Sequence, residues 1–245
     1  TPRKPHTDAP ARQYRFLKRF KHDFFAATGL YEELPATSET PPTTSPRLAV
    51  LKVQRTYPLY GCPMRWLGRI VARREIRIYQ QLAGIRGIPE FLGRTGPTGF
   101  LHAFVPGHDL RADLPLTPAF FDDLEELLQA LHQRNVAYVD ANKRENILHG
   151  DDGRPWLIDF QISFLCPRAG RRHFIARWMF RRFVRADWYH FYKHKTRLLP
   201  SACSPADFER ARRRGRLHRL HRLFARPIIR MRRRMLARYH VEEKP

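Results

Sequence analysis

Two carboxylates and an amide, Asp140, Asn146 and Asp159, lie within one short stretch, YVDANKRENILHGDDGRPWLIDFQ. Between them Asp151, Asp152 and Gly153 carry the composition of a tight turn, and the apolar runs on either side suit the two strands of a hairpin. A hairpin of this kind gathers all three side chains at one end. Carboxylate and amide oxygens are hard donors that suit Mg²⁺, an ion that keeps waters and phosphate oxygens in its remaining positions. A second pair stands upstream. Lys52 is embedded in the strand-like LAVLKVQ of residues 48–54, where an ammonium among apolar neighbours needs an anion. Glu75, in the helical pattern of residues 65–83, is the candidate partner.

The elements around these residues read as follows. Residues 11–25, ARQYRFLKRFKHDFF, interleave basic and aromatic side chains and are expected to form a short amphipathic helix. PATSETPPTTSP, residues 35–46, is a loop or linker without a core of its own. Glycine-punctuated residues 84–99 suit short strands and turns, residues 100–105 a strand, and Pro106 and Gly107 a hinge. Residues 117–133 predict a helix with Thr117 as N-cap, Pro118 in the first turn, and an apolar face of Phe121, Leu124, Leu127, Leu128 and Leu131. Pro200 and Pro205 mark a break before a last helix. Its stripe of Leu217, Leu220, Phe224, Ile228, Met231 and Met235 suits either packing on the body or lying on anionic lipid.

Length and charge bound the function. The 245 residues, 42% hydrophobic and 12% aromatic, are enough for a sizeable core, so global disorder is excluded. The net charge of +23 predicts a polyanionic partner. That charge is local: residues 1–25 hold 7 basic and 2 acidic side chains, 167–185 hold 7 and none, and 210–240 hold 13 and none, which leaves a near-neutral body. No run approaches the roughly 20 apolar residues of a transmembrane helix, and residues 1–10 lack a signal-peptide core. Cys62, Cys166 and Cys203 lack the paired spacing of a zinc or dithiol site and read as reduced thiols. The expectation is a cytoplasmic chain that its basic segments can hold at an anionic membrane surface.

Taken in order, Lys52, Glu75, Asp140, Asn146 and Asp159 resemble the protein-kinase-like superfamily. Within it the chain looks closest to bacterial lipopolysaccharide kinases, which phosphorylate Kdo or heptose of the inner core, and the likeness covers residues 48 to about 195. In that superfamily a strand lysine pairs with a helix glutamate, a catalytic loop HRDxxxxN supplies a base and a metal ligand, and DFG supplies a second ligand. VLKV, RREIRIYQQL, YVDANKREN and IDFQ stand in those places. The resemblance implies ATP and Mg²⁺ as cofactors, with Lys52 and Glu75 serving the nucleotide and Asn146 and Asp159 the metal. It gives Asp140 the acceptor hydroxyl to orient or deprotonate, and Lys143 the charge on the transferring phosphoryl group to balance. The implied fold is α+β, a bilobal protein-kinase-like fold with a reduced N-lobe and a helical C-lobe. The domains expected are a basic segment and linker at 1–47, the N-lobe at 48–106, the C-lobe at 107–204 and a basic amphipathic helix at 205–245.

Three departures qualify the match. Asp140 precedes Asn146 by six positions where HRDxxxxN has five, so either the loop bulges by one residue or Ala141 occupies the base position. No GxGxxG precedes Lys52. DFG reads DFQ, and no APE follows; Arg168 to Arg185 come instead, with Phe174, Trp178, Phe180 and Phe183 interleaved. The function implied is an ATP-dependent phosphotransferase acting on a hydroxyl of an anionic glycolipid or sugar at an anionic membrane surface. The alternatives are an atypical protein Ser/Thr kinase and a pseudokinase scaffold that binds nucleotide or anionic lipid. Nucleic acid is a less favoured partner: the basic and aromatic interleaving fits a backbone groove, but no nucleic-acid motif is present.

Overall fold

LAVLKVQ forms strand β3, Leu48–Gln54, as its apolar and β-branched composition predicts. The computed structural model describes residues 13–22, 26–34, 47–54, 65–170 and 173–212. Strand β3 lies at the centre of a five-stranded antiparallel sheet ordered β1-β2-β3-β5-β4, with β1 at Tyr14–His22, β2 at Ala26–Glu33, β4 at Phe91–Thr95 and β5 at Gly99–Ala103. Strand β1 corrects the expectation of a helix over residues 11–25. Its aromatic residues satisfy a two-residue period as well as a helical one, and cross-strand partners in β2 decide between them. Phe16 sits opposite Tyr31 with ring centroids 5.4 Å apart, and Arg15 sits opposite Glu32 and pairs with it. Local periodicity carries no information about that hairpin.

The sheet is covered by α1, Arg65–Gln81, through Ala72, Glu75, Ile76 and Tyr79, which recur at helical spacing on its buried face. Tyr79 joins the helix to the sheet: its ring is 5.5 Å from Phe100 and stacks at 5.5 Å on His102 of β5. His102 is buried, and its Nδ1 is 2.9 Å from the Ala103 carbonyl, which can only accept, so the ring is neutral or protonated with Nδ1–H as donor. Burial holds its pKa down at about 4. A histidine depressed below its unfolded value contributes stability that is complete above about pH 6.5 and is lost as pH falls toward about 4, some 3 kcal/mol in all. The urea midpoint of wild type should therefore fall relative to that of His102→Phe as the pH is lowered from about 7 to about 4. Parallel curves would remove His102 as the source.

Helix α2, Pro118–Gln133, begins as predicted: Thr117 Oγ1 accepts from the Phe120 amide at 3.2 Å, and Phe121, Leu124, Leu127, Leu128 and Leu131 are buried. Strands β6 (Gly107–Asp109), β8 (Ile147–Gly150) and β9 (Pro155–Leu157) form a sheet ordered β6-β8-β9, and β7 (Val136–Ala137) pairs with β10 (Phe164–Leu165). The predicted turn joins β8 to β9, with Gly153 at φ +75°. Gly107 has φ +150°, and a Cβ there would lie 2.4 Å from the His149 carbonyl oxygen, so only glycine lets β6 approach β8.

Helix α3 spans His173–Leu198 and α4 spans Pro205–Arg212. The chain divides into two units, Thr1–Asp187 and Trp188–Pro245. In the second, Ser204 and Asp207 cap α4 reciprocally, Ser204 N–H donating to Asp207 Oδ2 at 3.0 Å and the Asp207 amide to Ser204 Oγ at 3.3 Å. The apolar stripe from Leu217 to Met235 lies outside the described residues. Among the described helices none is long and apolar enough to cross a membrane.

Candidate functional site

Strand β3, helix α1 and the segment after β9 bring three charges together. Lys52 Nζ donates to Glu75 Oε1 and to Asp159 Oδ1, each at 2.7 Å, although the carboxylates are 23 and 107 positions away in sequence. The partner sought for the buried strand lysine is therefore Glu75, and Asp159 is a second one. Glu75 is wholly buried, whereas the Asp159 side chain keeps a third of its surface exposed. Burial pushes Lys52 toward its neutral form, but the two carboxylates outweigh it and hold the ammonium. Burial raises the Glu75 carboxyl above the usual range. Asp159, for which burial acts upward as well, is brought below that range by Lys52 and is the firmer anion of the two.

The residues around YVDANKREN supply the other half. Asp140 Oδ2 accepts from Lys143 Nζ at 2.7 Å and from Asn146 Nδ2 at 2.9 Å. The six-residue spacing is accommodated by a turn in which the Lys143 amide donates to the Asp140 carbonyl at 3.0 Å, followed by a 3-10 turn over Arg144–Asn146. Ala141 is buried beside it and contributes a methyl group. Burial raises the Asp140 pKa, opposed by Lys143. The segments of Asn146, directly before β8, and of Asp159, just after β9, are tied together: the Ile158 amide donates to the Asn146 carbonyl at 3.1 Å, and the Tyr138 hydroxyl is shared between the carbonyls of Asn146 (3.0 Å) and Ile158 (2.5 Å).

Two parts of this arrangement were not anticipated from residue spacing. The first is Asp187, fully buried near the middle of α3, whose oxygens accept from the backbone amides of Tyr138 and Val139, both at 2.8 Å. Val139 has φ +68°, a left-handed conformation rare for a β-branched residue, and these two bonds hold it there directly before Asp140. A signal did exist: Asp187 is the single acidic residue between Asp159 and Asp207, in a strongly basic stretch. The second is a chain of amides. Gln54 Nε2 donates to Glu75 Oε2 at 2.9 Å, and Gln161 Nε2 reaches Gln54 Oε1 at 3.4 Å, so the glutamine of DFQ is tied to the Lys52–Glu75 pair. Asp159 itself lies in the left-handed region at φ +60°. Phe160, fully buried, packs between Tyr79 at 5.1 Å and Tyr138 at 5.4 Å.

The oxygens present suit a hard cation. Asn146 spends its NH₂ group on Asp140, which leaves its carbonyl oxygen as its remaining donor to a metal, and Asp159 is ionised and partly exposed. Among the described residues no three His, Cys, Asp or Glu side chains group to hold a metal by themselves. A cation at Asn146 and Asp159 would draw its other ligands from water and phosphate, as Mg²⁺ does. No protein-family model and no curated protein matches this chain.

Proposed function

We propose that the chain is an ATP-dependent phosphotransferase of protein-kinase-like, bilobal architecture, acting on a hydroxyl of an anionic glycolipid or lipopolysaccharide core sugar at the cytoplasmic face of a membrane. The observation that carries this reading is Lys52, bound at 2.7 Å by both Glu75 and Asp159, next to the Asp140–Asn146 pair. A buried ammonium with two carboxylates leaves one negative charge uncompensated, which favours a cation at Asp159, and that cation in turn favours a polyphosphate beside it. Bound Mg²⁺ would supply neutralisation of charge on the phosphate oxygens. Lys52 holds the α- and β-phosphates, and Glu75 and Gln54 orient Lys52. Asp140 takes the proton of the acceptor hydroxyl while its oxygen bonds to the γ-phosphorus and the bond to the ADP oxygen breaks. Lys143, 48% exposed and paired with Asp140 at 2.7 Å, is the cation for the transferring group. Little further chemistry is required, since phosphoryl transfer is chiefly positioning and electrostatics.

The test is calorimetric titration of ATP with and without Mg²⁺ into wild type and Asp159→Ala. Binding should require Mg²⁺, and Asp159→Ala should weaken it by no less than the roughly 10–100-fold that losing an outer-shell partner costs at metal sites. Folded wild type that takes up no ATP would overturn the reading and turn attention to a scaffold role.

A further inference from the structure

Helix α3 has two opposite stripes within the first unit. At 3.6 residues per turn Ala176, Phe180, Phe183 and Asp187 fall on one side. That side is the inward one: Phe183 packs 5.2 Å from Phe164, Phe180 lies 6.5 Å from His132, and Asp187 is fully buried on the Tyr138–Val139 backbone. On the other side lie Phe174, Trp178, Arg182 and Arg185. Phe174 is 72% exposed and Trp178 56%, with Ile175 at 44% and Met179 at 36% beside them. Isolated exposed apolar residues are ordinary, but four on two turns of one helix form a patch. Arg182 stands over the Trp178 ring, 5.4 Å from its centroid. No acidic residue occurs from 160 to 186, while seven arginines do.

We infer that the outward face of α3, centred on Phe174 and Trp178, docks this protein on an anionic lipid bilayer. An apolar crest flanked by arginines is the layout of an interfacial helix: the rings and aliphatic chains enter the acyl boundary, and the guanidinium groups stay at the phosphates. The charge decides the occupant. The chain's own Arg-rich stretch, 210–240, has the same sign and does not complement this face. A nucleic acid would need stacking platforms along a groove, whereas this surface is a convex helix whose exposed apolar residues include the non-aromatic Ile175 and Met179. The inference rests on the phosphotransferase reading only for its purpose, bringing the site to a lipid-linked acceptor; the surface itself is independent of it.

The experiment uses the full chain and vesicles of phosphatidylcholine with about 30% phosphatidylglycerol. Acyl chains brominated in those vesicles should quench a component of tryptophan emission that Trp178→Phe removes. In co-sedimentation, Phe174→Ser/Trp178→Ser should bind about tenfold more weakly or worse, with an unchanged circular dichroism spectrum. Arg182→Glu/Arg185→Glu should weaken the preference for anionic over neutral vesicles. Equal quenching in wild type and Trp178→Phe, or equal binding by the serine variant, overturns the proposal, because attraction by other basic segments would then suffice. So does a thymidine oligonucleotide that displaces the vesicles and whose own binding depends on Trp178. Mg²⁺-ATP titration of the same samples is a separate readout, so failure of vesicle docking and failure of the phosphotransferase reading are told apart.

Discussion

Lys52→Ala is expected to lower the unfolding free energy by about 3–5 kcal/mol, the cost of leaving one member of a buried ion pair alone. Asp159 can turn to water, but Glu75 is wholly buried and is left with neutral donors, the Gln54 amide and the Phe160 backbone N–H. The pH dependence identifies the cause. Burial already raises the Glu75 carboxyl, and loss of Lys52 raises it further. A carboxyl whose folded pKa exceeds its unfolded value, about 4.3, contributes stability that is complete below that value and is lost as pH rises through the folded one. The variant's deficit against wild type should therefore be larger near pH 8 than near pH 5. Adding Glu75→Gln should recover much of the loss, since a neutral amide needs no counter-ion. Urea unfolding of the four proteins of this cycle at both pH values measures it. A deficit that is flat with pH and not rescued by Glu75→Gln would show that Lys52 acts by packing alone.

Asp140→Asn should leave ATP binding intact and slow phosphoryl transfer by about 10²–10⁴-fold, the range for loss of a general base. The amide keeps the shape of the side chain and removes its basicity. Burial raises the Asp140 pKa and brings it nearer the working pH, while Lys143 opposes that rise. Wild-type turnover should fall on acidification as Asp140 takes up a proton, with a midpoint above the ordinary aspartate value of about 3.9, and the variant should lack that limb. Single-turnover transfer from ATP to a core-sugar acceptor across pH measures both effects. Full activity in Asp140→Asn would transfer the role to another group. Asp187, two bonds away through the Tyr138 and Val139 amides, is the positioning group whose loss should release the Val139 conformation first.

Much of this molecule is legible in its residues. The 3.6-residue period and the Thr117 cap mark α2, an apolar run marks β3, and Asp151 to Gly153 mark the β8–β9 turn, because each depends on side chains within a few positions of one another. Lys52 was also legible as a group in need of an anion, since a charge in an apolar strand carries its own desolvation cost. Glu75 was readable as its partner from polarity alone.

What depends on distant pairing was not legible. Residues 11–25 satisfy two periods at once, and only the register of β1 on β2, Arg15 against Glu32 and Phe16 against Tyr31, selects a strand for 14–22. The one-residue excess between Asp140 and Asn146 is neutral in sequence; the turn through Lys143 and the Asp187 clamp bring the two side chains to 2.9 Å. Local sequence thus determined which groups carry charge, which faces are apolar and where the turns fall, because those follow from side-chain chemistry and short-range sterics. Tertiary structure alone decided that Asp159 joins Lys52 and Glu75, and that the aromatic stripe of α3 faces outward while Asp187 faces in. Those outcomes depend on pairings across as many as 107 positions, which no local energy term specifies.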